Sequence, residues 1–349
     1  MPRLRNVVPI EEWPAQHRAG LEHALHALRR HNRRRKRFKW GPDMCRGVCT
    51  SYGRWLFWAR QQPWYDLSLP VDSLLTPERV EAFVVHLEDC RNRPATLRHR
   101  MMGLERMMAA VAPDVDRDWL KEIKSRFAKT GDRRAKRARL QYTDVLIKFA
   151  AELAEQAEAL AVVDDERGRT LLRTAAQIMM LAYRAMRLKN FRQLRLGIEV
   201  VEEEDGRWKL DIPAEATKRG NEYDPYLPKR VVDLTLRYLA LCSKPLGQAY
   251  ADHDALWLFT NGRQQSARSI NYHITEQTKK KFDRSMSPHL FRDAVVTTVA
   301  DQMPEHVRMS PLLIGNRDQG CVEDHYNQAQ RVIADRKYNS TLDDLEDGV

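Results

Sequence analysis

Residues 170–186 read TLLRTAAQIMMLAYRAM, a stretch that is apolar nearly all round when drawn as a helix. A helix with apolar residues on every side has to be buried among other elements. The stretch therefore predicts the central helix of a domain formed by the second half of the chain. Arg187 closes it, and a guanidinium at the end of an apolar helix must either extend to solvent or meet an anion.

Length and composition indicate a folded protein of more than one domain. The chain has 349 residues, of which 43% are hydrophobic and 31% charged. At ~100–200 residues per domain, that length favours two domains or three. The hydrophobic share is that of an ordinary globular protein, which excludes wholesale disorder. No apolar run approaches the ~20 residues of a membrane span, and the N-terminal residues lack a secretory signal pattern, so we expect a cytoplasmic protein.

The cysteines predict neither a disulfide framework nor a zinc site. They form an odd, scattered set with no CxxC pair, which is typical of reduced thiols. Cys45 and Cys49 are four apart on a predicted helix, but no His or Cys stands at zinc-site spacing, so core packing is the preferred interpretation. The five cysteines are Cys45, Cys49, Cys90, Cys242 and Cys321.

Positive charge is concentrated in two segments. Lys and Arg number 59 against 48 Asp and Glu, a net charge of +11. Residues 29–39 carry +8 and residues 117–139 carry +7, so the rest of the chain is slightly acidic at −4. A solvated charged surface or an anionic membrane would also explain such runs. Two dense basic segments on an acidic body nevertheless favour nucleic acid as the partner.

Periodicity and capping signals predict a helical first half. Helices are expected at 17–30, at 43–60 and after Pro94. Thr76-Pro77-Glu78 has the cap, the first-position proline and the first-turn acid of a helix start. Apolar residues thin out over 113–139, which we interpret as a basic interdomain linker.

The second half mixes helices with a small sheet. Period-two segments at 197–201 and 208–212 flank Asp205-Gly206 and predict a hairpin, with a third extended stretch at 222–227. The fold class is therefore mainly α with a small antiparallel β-sheet. Further helices are predicted at 145–160 (capped by Thr143-Asp144), at 229–241, after Ser266 and after Ser287-Pro288.

The second half has polar residues at four places where the predicted helices and strands do not need them. Arg187 ends the central stretch, Lys218 lies just past the hairpin, and Tyr326 lies near the C-terminus. His289 and Arg292 are three apart in the first turn of a predicted helix, which puts imidazole and guanidinium on one face near N–H groups that favour phosphate. Taken singly, each has an ordinary explanation: an ion pair, a surface lysine, a near-core histidine or a packed tyrosine.

Taken together, the order of these residues resembles the tyrosine recombinase (phage integrase) family. Residues 185–194, AMRLKNFRQL, stand in place of the family's first arginine motif, with Ala and Asn where the family has Gly and Glu. The remaining motifs correspond to Thr217–Gly220 with Leu227-Pro228 (the lysine turn), Pro288–Arg292 (Pro-His-x-x-Arg, matched in full) and Leu313–Asn316 followed by His325-Tyr326 (Leu-Gly-His and the nucleophile).

The resemblance implies a helical core-binding domain followed by an α+β catalytic domain. The boundaries that follow are a basic N-terminal arm at 1–40, a helical core-binding domain at 41–130, a basic linker at 131–141, a catalytic domain at 142–335 and an acidic tail at 336–349.

The resemblance also implies a site-specific recombinase that cleaves and rejoins DNA through a 3′-phosphotyrosyl intermediate, with no metal, ATP or other cofactor. Tyr326 is then the nucleophile, and Arg187 and Arg292 bind the phosphate oxygens. His289 serves as base or hydrogen-bond partner, and Lys218 protonates the leaving 5′-oxygen.

One position departs from the family. Asn316 stands where the family has His or Trp; its amide can donate a hydrogen bond but carries no positive charge. Lower activity, or a site organised by a partner protomer, is the expected consequence. Tyr338 is a second late tyrosine at a poorer spacing and a distant alternative nucleophile.

The partners implied by the resemblance are double-stranded DNA, further copies of the chain (a dimer on each site and a tetramer in synapsis) and accessory recombination proteins, in the bacterial cytoplasm at the nucleoid. No membrane partner is expected. The DNA contacts are expected from Arg33, Arg34, Arg35, Lys36, Arg37, Lys39, Arg133, Arg134, Lys136 and Arg137.

Two other functions stay open. Asn316 is compatible with a catalytically weak DNA-binding accessory or regulatory relative of the recombinases. A site that is not needed for catalysis would, however, have little reason to keep the five other catalytic residues, Arg187, Lys218, His289, Arg292 and Tyr326. A relaxing topoisomerase or a hairpin-forming resolvase would use similar chemistry. The separate N-terminal helical domain favours a recombinase that integrates or excises a mobile element.

Overall fold

The computed structural model is mainly helical and carries one small antiparallel sheet. The chain divides into two compact units, Met1–Arg133 and Arg134–Val349. The finer division into arm, linker and tail stays a prediction. The structure describes residues 6–31, 40–66, 68–127, 138–217, 220–246 and 254–315, together with 330, 333–334 and 337–339.

The first unit is built from helices. Thr76 is the N-cap of the helix Pro77–Asp89, as the sequence predicts: its hydroxyl accepts a hydrogen bond from the Arg79 amide at 3.4 Å. A 3-10 turn at Ile10–Glu12 precedes the first helix. The helices are α1 (Ala15–His31), α2 (Pro42–Ala59), α3 (Val71–Leu74), α4 (Pro77–Asp89), α5 (Pro94–Val111) and α6 (Asp118–Ser125).

Aromatic side chains fill the core of the first unit. The fully buried Trp55 meets Phe83 edge-on, with ring centroids 5.2 Å apart, and Trp58 packs 5.3 Å from the same ring. Helix α5 approaches α2 closely at Gly103, where a Cβ atom would lie 2.3 Å from the Ser51 side chain. A larger residue at 103 would force the two helices apart, so this glycine sets their spacing.

The interpretation of 113–139 as a linker is wrong for its first part. Helix α6 lies within that range, and its Leu120 and Ile123 are buried in the core of the first unit. Arg98 on α5 also donates to the Lys124 carbonyl at 3.0 Å. Trp119, Leu120 and Ile123 give this short helix an apolar face, and because a helix of eight residues is marginal alone, packing of that face against the core of the first unit makes it stable.

The second unit surrounds the central helix that residues 170–186 predict. Residues 172–182 of that helix are buried without a break. The helices of this unit are α7 (Thr143–Ala161), α8 (Asp165–Tyr183), α9 (Leu188–Arg192), α10 (Lys229–Leu246), α11 (Ala267–Phe282), α12 (Pro288–Gln302) and α13 (Ser310–Leu313), with 3-10 turns at Ala214–Ala216 and Pro304–Met309.

The predicted hairpin is confirmed. Strands β1 (Val200–Glu202) and β2 (Trp208–Leu210) are antiparallel, with Val200 opposite Leu210. The third extended stretch runs alongside, through bridges between Ile212 and Tyr223 and between Lys209 and Tyr226. Tyr223 is therefore held in place by the sheet.

Two of the predicted side-chain caps do not form. Helix α7 begins at Thr143 itself, whose amide donates to the Thr298 hydroxyl at 2.9 Å, so Thr143 does not cap it. Ser287 precedes α12 but forms no side-chain cap bond, whereas Ser266 accepts from the Ser269 amide as predicted. At Thr143, a tertiary partner supplies a hydrogen bond to the helix start that a local cap would otherwise provide.

The described ranges hold no helix with both the length and the apolar character that a membrane crossing needs. Within those same ranges, no three His, Cys, Asp or Glu side chains are grouped closely enough to hold a metal ion. Cys45 and Cys49 are half-buried free thiols on α2.

His17 is buried in the first unit as a neutral imidazole. Its Nε2 lies 2.7 Å from the Leu69 carbonyl oxygen, which can only accept, so Nε2 carries the proton. Nδ1 then accepts from the Tyr52 hydroxyl at 3.0 Å. Burial lowers the pKa of His17, because the charged imidazolium would lose its hydration.

We expect the first unit to lose stability as the pH falls from roughly 8 to 5. The unfolded chain binds a proton at His17 near pH ~6.5, but the folded chain binds it only at lower pH, so acid favours unfolding. Urea unfolding followed by tryptophan fluorescence measures this effect, and His17→Gln should weaken the pH dependence. His23→Gln, which changes an exposed histidine of the same helix, is the control. Equal pH dependence in wild type and His17→Gln would contradict the assignment.

Candidate active site

Arg292 joins three segments of the second unit. This residue on α12 is 8% exposed, and its Nη1 donates to the Ala185 carbonyl at 2.7 Å and to the Ile314 carbonyl at 2.6 Å. Ala185 lies two residues before Arg187, and Ile314 lies two residues before Asn316. The first residue of the first arginine motif and the backbone just before residue 316 are therefore joined by the arginine of the His-x-x-Arg motif.

Arg187 lies in the turn between α8 and α9. Helix α8 ends at Tyr183, so the prediction that Arg187 closes the central helix is wrong. Arg187 is instead the N-cap residue of α9, with an extended backbone (φ −69°, ψ 140°) and a half-buried side chain. Beyond the end of α8, the Ala185 carbonyl accepts from Arg292 and not from an amide of a continued helix.

His289 and Arg292 differ in burial although they are three residues apart. His289 is the second residue of α12 and is exposed, whereas the Arg292 guanidinium is buried. The two side chains therefore do not share one environment: the His289 side chain is exposed, and the Arg292 guanidinium is held inside the unit.

Three predicted catalytic residues, Lys218, Asn316 and Tyr326, lie outside the described residues. Thr217 directly precedes Lys218 in the sequence, and its hydroxyl accepts from the Asn221 amide at 3.0 Å. Tyr338, the alternative nucleophile, is described and is 65% exposed. The ten predicted DNA contacts, Arg33, Arg34, Arg35, Lys36, Arg37, Lys39, Arg133, Arg134, Lys136 and Arg137, also lie outside the described residues.

Sequence analysis missed two residues that border the Arg292 contacts, Tyr223 and Arg184. The Tyr223 hydroxyl donates to the Leu313 carbonyl at 3.1 Å. Burial raises the pKa of Tyr223 to about 12, although Arg184 and Arg292 both act to lower it, so all three groups lie within electrostatic reach. Tyr223 lies at an inward position of the third extended stretch. The period-two pattern of that stretch could have indicated that Tyr223 is buried.

Arg184 occupies the end of the central helix. Its Nε donates to the Tyr226 carbonyl at 3.1 Å, and Nη2 donates to the same oxygen. Burial lowers the pKa of Arg184, because few water molecules remain around the guanidinium. The half-buried Arg184 and the buried Arg292 thus place two positive charges within electrostatic reach of the Tyr223 phenol.

A second basic surface lies on α2 and α5 of the first unit. Burial lowers the pKa of Arg100, and the nearby positive charge of Arg54 lowers it further. Burial also lowers the pKa of His99, with Arg100 and Arg106 adding to the effect. Within the described chain, neither Arg100 nor Arg106 forms an ion pair. Like charges held this close favour binding of an anion, which offsets their repulsion.

Comparisons with known proteins find similarity only among solved structures, and the similarity described here is distant. No family model matches the chain, and no curated protein matches it. Among solved structures, the crystal structure of XerA recombinase aligns with 91% of this chain and 98% of that chain, at 14% sequence identity and a TM-score of 0.41. A similarity of this size does not assign an activity to the chain.

We expect Arg292→Ala to lower the free energy of unfolding of the second unit by about 2–4 kcal/mol, because two buried carbonyls lose their donor. Arg187→Ala should cost less than ~1 kcal/mol, since the Arg187 side chain is half-buried and forms no hydrogen bond to another described residue. Urea unfolding followed by circular dichroism measures both variants. Equal losses in the two variants would show that the carbonyl contacts of Arg292 do not stabilise the unit.

Proposed function

We propose that this chain is a tyrosine-type site-specific recombinase, which cleaves and rejoins DNA strands to integrate or excise a mobile element. The observation that supports this most is the pair of hydrogen bonds from Arg292 to Ala185 and Ile314. These bonds connect the backbone beside Arg187 with the backbone beside Asn316, two motifs that are far apart in the sequence.

In this proposal the arginines bind the phosphate. Cleaving a phosphodiester without a metal requires other positive groups to offset the charge of the pentacovalent transition state. Arg187 and Arg292 supply directed, permanently charged donors. The carbonyl bonds of Nη1 fix the orientation of the Arg292 guanidinium, which is assigned to the phosphate oxygens. A donor that is already oriented loses little free energy to reorganisation during the reaction.

The proposed chemical step is an in-line displacement at phosphorus. The Tyr326 phenolate oxygen forms the new P–O bond, and the bond to the 5′-oxygen breaks. The phenol proton passes to His289, whose exposure allows it to exchange that proton with water, and Lys218 protonates the leaving 5′-oxygen. Rejoining reverses the step when a 5′-hydroxyl attacks the phosphotyrosyl bond. The covalent link conserves the phosphodiester bond energy, so no ATP is consumed.

Binding to DNA is assigned to positive charge in both units. Residues 33–39 and 133–137 supply the densest charge in the sequence. The α2–α5 surface, which contains Arg54, Arg100 and Arg106, adds a described cluster in the first unit. Contacts of this kind bind phosphates independently of sequence and make affinity depend steeply on salt.

A second candidate function is a DNA-binding accessory protein that does not cleave. It is favoured by Asn316 and by the use of both Nη1 protons of Arg292 in structural contacts. The two candidates share the DNA-binding surfaces and differ in whether a covalent intermediate forms.

We expect the purified protein to become covalently attached to nicked suicide duplexes that span the DNA flanking its gene. Tyr326→Phe should abolish attachment and leave DNA binding intact, because only the nucleophilic oxygen is removed. Tyr338→Phe is the matched control and should attach normally. Denaturing gels detect the protein–DNA adduct. Attachment by Tyr326→Phe would place the nucleophile elsewhere, and normal binding without attachment by wild type would favour the accessory function.

We expect Arg100→Gln combined with Arg106→Gln to reduce the slope of log affinity against log salt by roughly 1–2, because each phosphate contact contributes about 0.9. Fluorescence anisotropy with a duplex of arbitrary sequence measures this slope. Arg60→Gln, at the end of α2 where Arg60 lies 3.9 Å from Glu12, is the control and should keep the wild-type slope. An unchanged slope in the double variant would remove the α2–α5 surface from the DNA interface.

A further inference from the structure

The turn that leads to residue 316 is unusually constrained. Gly315 has a positive φ of +60°, and its amide donates to the Leu312 carbonyl at 3.0 Å. The Tyr223 ring lies against this turn, since a Cβ atom at Gly315 would stand 3.0 Å from its Cδ2. Both the backbone conformation and the close ring therefore favour glycine at 315.

Two donors bind successive carbonyls of the turn. The Tyr223 hydroxyl donates to Leu313 at 3.1 Å, and Arg292 donates to Ile314 at 2.6 Å. The two donors come from different elements, one from the third extended stretch and one from α12. Fixing two adjacent carbonyls from two directions restricts both the position and the rotation of the turn.

Tyr223 is itself held firmly enough to act as a support. Its amide and carbonyl are both paired with Ile212, and its side chain is buried. A buried phenol whose pKa lies near 12 stays protonated at neutral pH, so it remains a hydrogen-bond donor to Leu313.

We propose that Tyr223 is a positioning residue, which acts with Arg292 to fix the Gly315 turn and thereby sets the backbone from which residue 316 follows. The catalytic part of this inference rests on the proposed function. Because Asn316 is shorter than the His or Trp that the resemblance leads one to expect, its amide depends more on the backbone for its placement.

The first experiment tests the support without requiring DNA cleavage. Hydrogen exchange of the Ile314 and Gly315 amides should become about tenfold faster in Tyr223→Phe, because the turn loses one of its two anchoring hydrogen bonds. Tyr142→Phe is the matched control: it removes the bond from a 41% exposed tyrosine to Asp301 in the same unit and should leave this exchange unchanged. Unaltered exchange in Tyr223→Phe overturns the proposal.

The second experiment tests whether Tyr223 acts through residue 316. Tyr223→Phe should lower the rate of covalent attachment about tenfold at unchanged DNA affinity. In an Asn316→Ala background, the same substitution should change the rate less than about twofold, because the side chain that it positions is already gone. Independent, additive effects overturn the positioning role. Failure of wild type to attach would instead contradict the proposed function, and the exchange measurement still decides the role of Tyr223.

Discussion

The Arg292 guanidinium donates to two backbone carbonyls that are far apart in the chain, and much of the second unit is arranged around these bonds. Burying a guanidinium is costly unless its donors are paired. Ala185 can accept from Arg292 only because the chain leaves α8 before that residue, and Ile314 can do so only where α13 ends. One side chain thus binds the backbone just beyond the ends of two helices and holds those two segments against α12.

This constraint also explains the electrostatic character of the site. Arg184 and Arg292 both lie near the Tyr223 phenol, and carbonyl oxygens accept hydrogen bonds from both guanidiniums. Carbonyls satisfy hydrogen bonding but do not neutralise the positive charge. A bound phosphate would do so, which makes the arrangement suited to an anion. The α2–α5 surface of the first unit follows the same principle, with Arg54 and Arg100 held close together.

Part of the site could be predicted from local patterns. The three-residue step from His289 to Arg292 and the proline before it indicate a helix start that carries both residues, and the structure begins α12 at Pro288. The same patterns placed Arg187 on the central helix, where it does not lie, and gave no role to Tyr223. Both differences arise from partners distant in sequence: Arg292 takes the Ala185 carbonyl, and Leu313 accepts from Tyr223.

The sequence by itself determined the mainly helical fold, the buried central helix, the Asp205-Gly206 hairpin and the caps at Thr76 and Ser266, because each depends on residues a few positions apart. Only the tertiary structure decided that α6 belongs to the core of the first unit, that Thr143 pairs with Thr298, and that Tyr223 and Arg292 bind the same turn. The physical reason is that a helix or hairpin is favoured by its own periodicity. A hydrogen bond between distant segments forms only when packing has brought its donor and acceptor together, and a local sequence pattern does not predict which distant segments pack against each other.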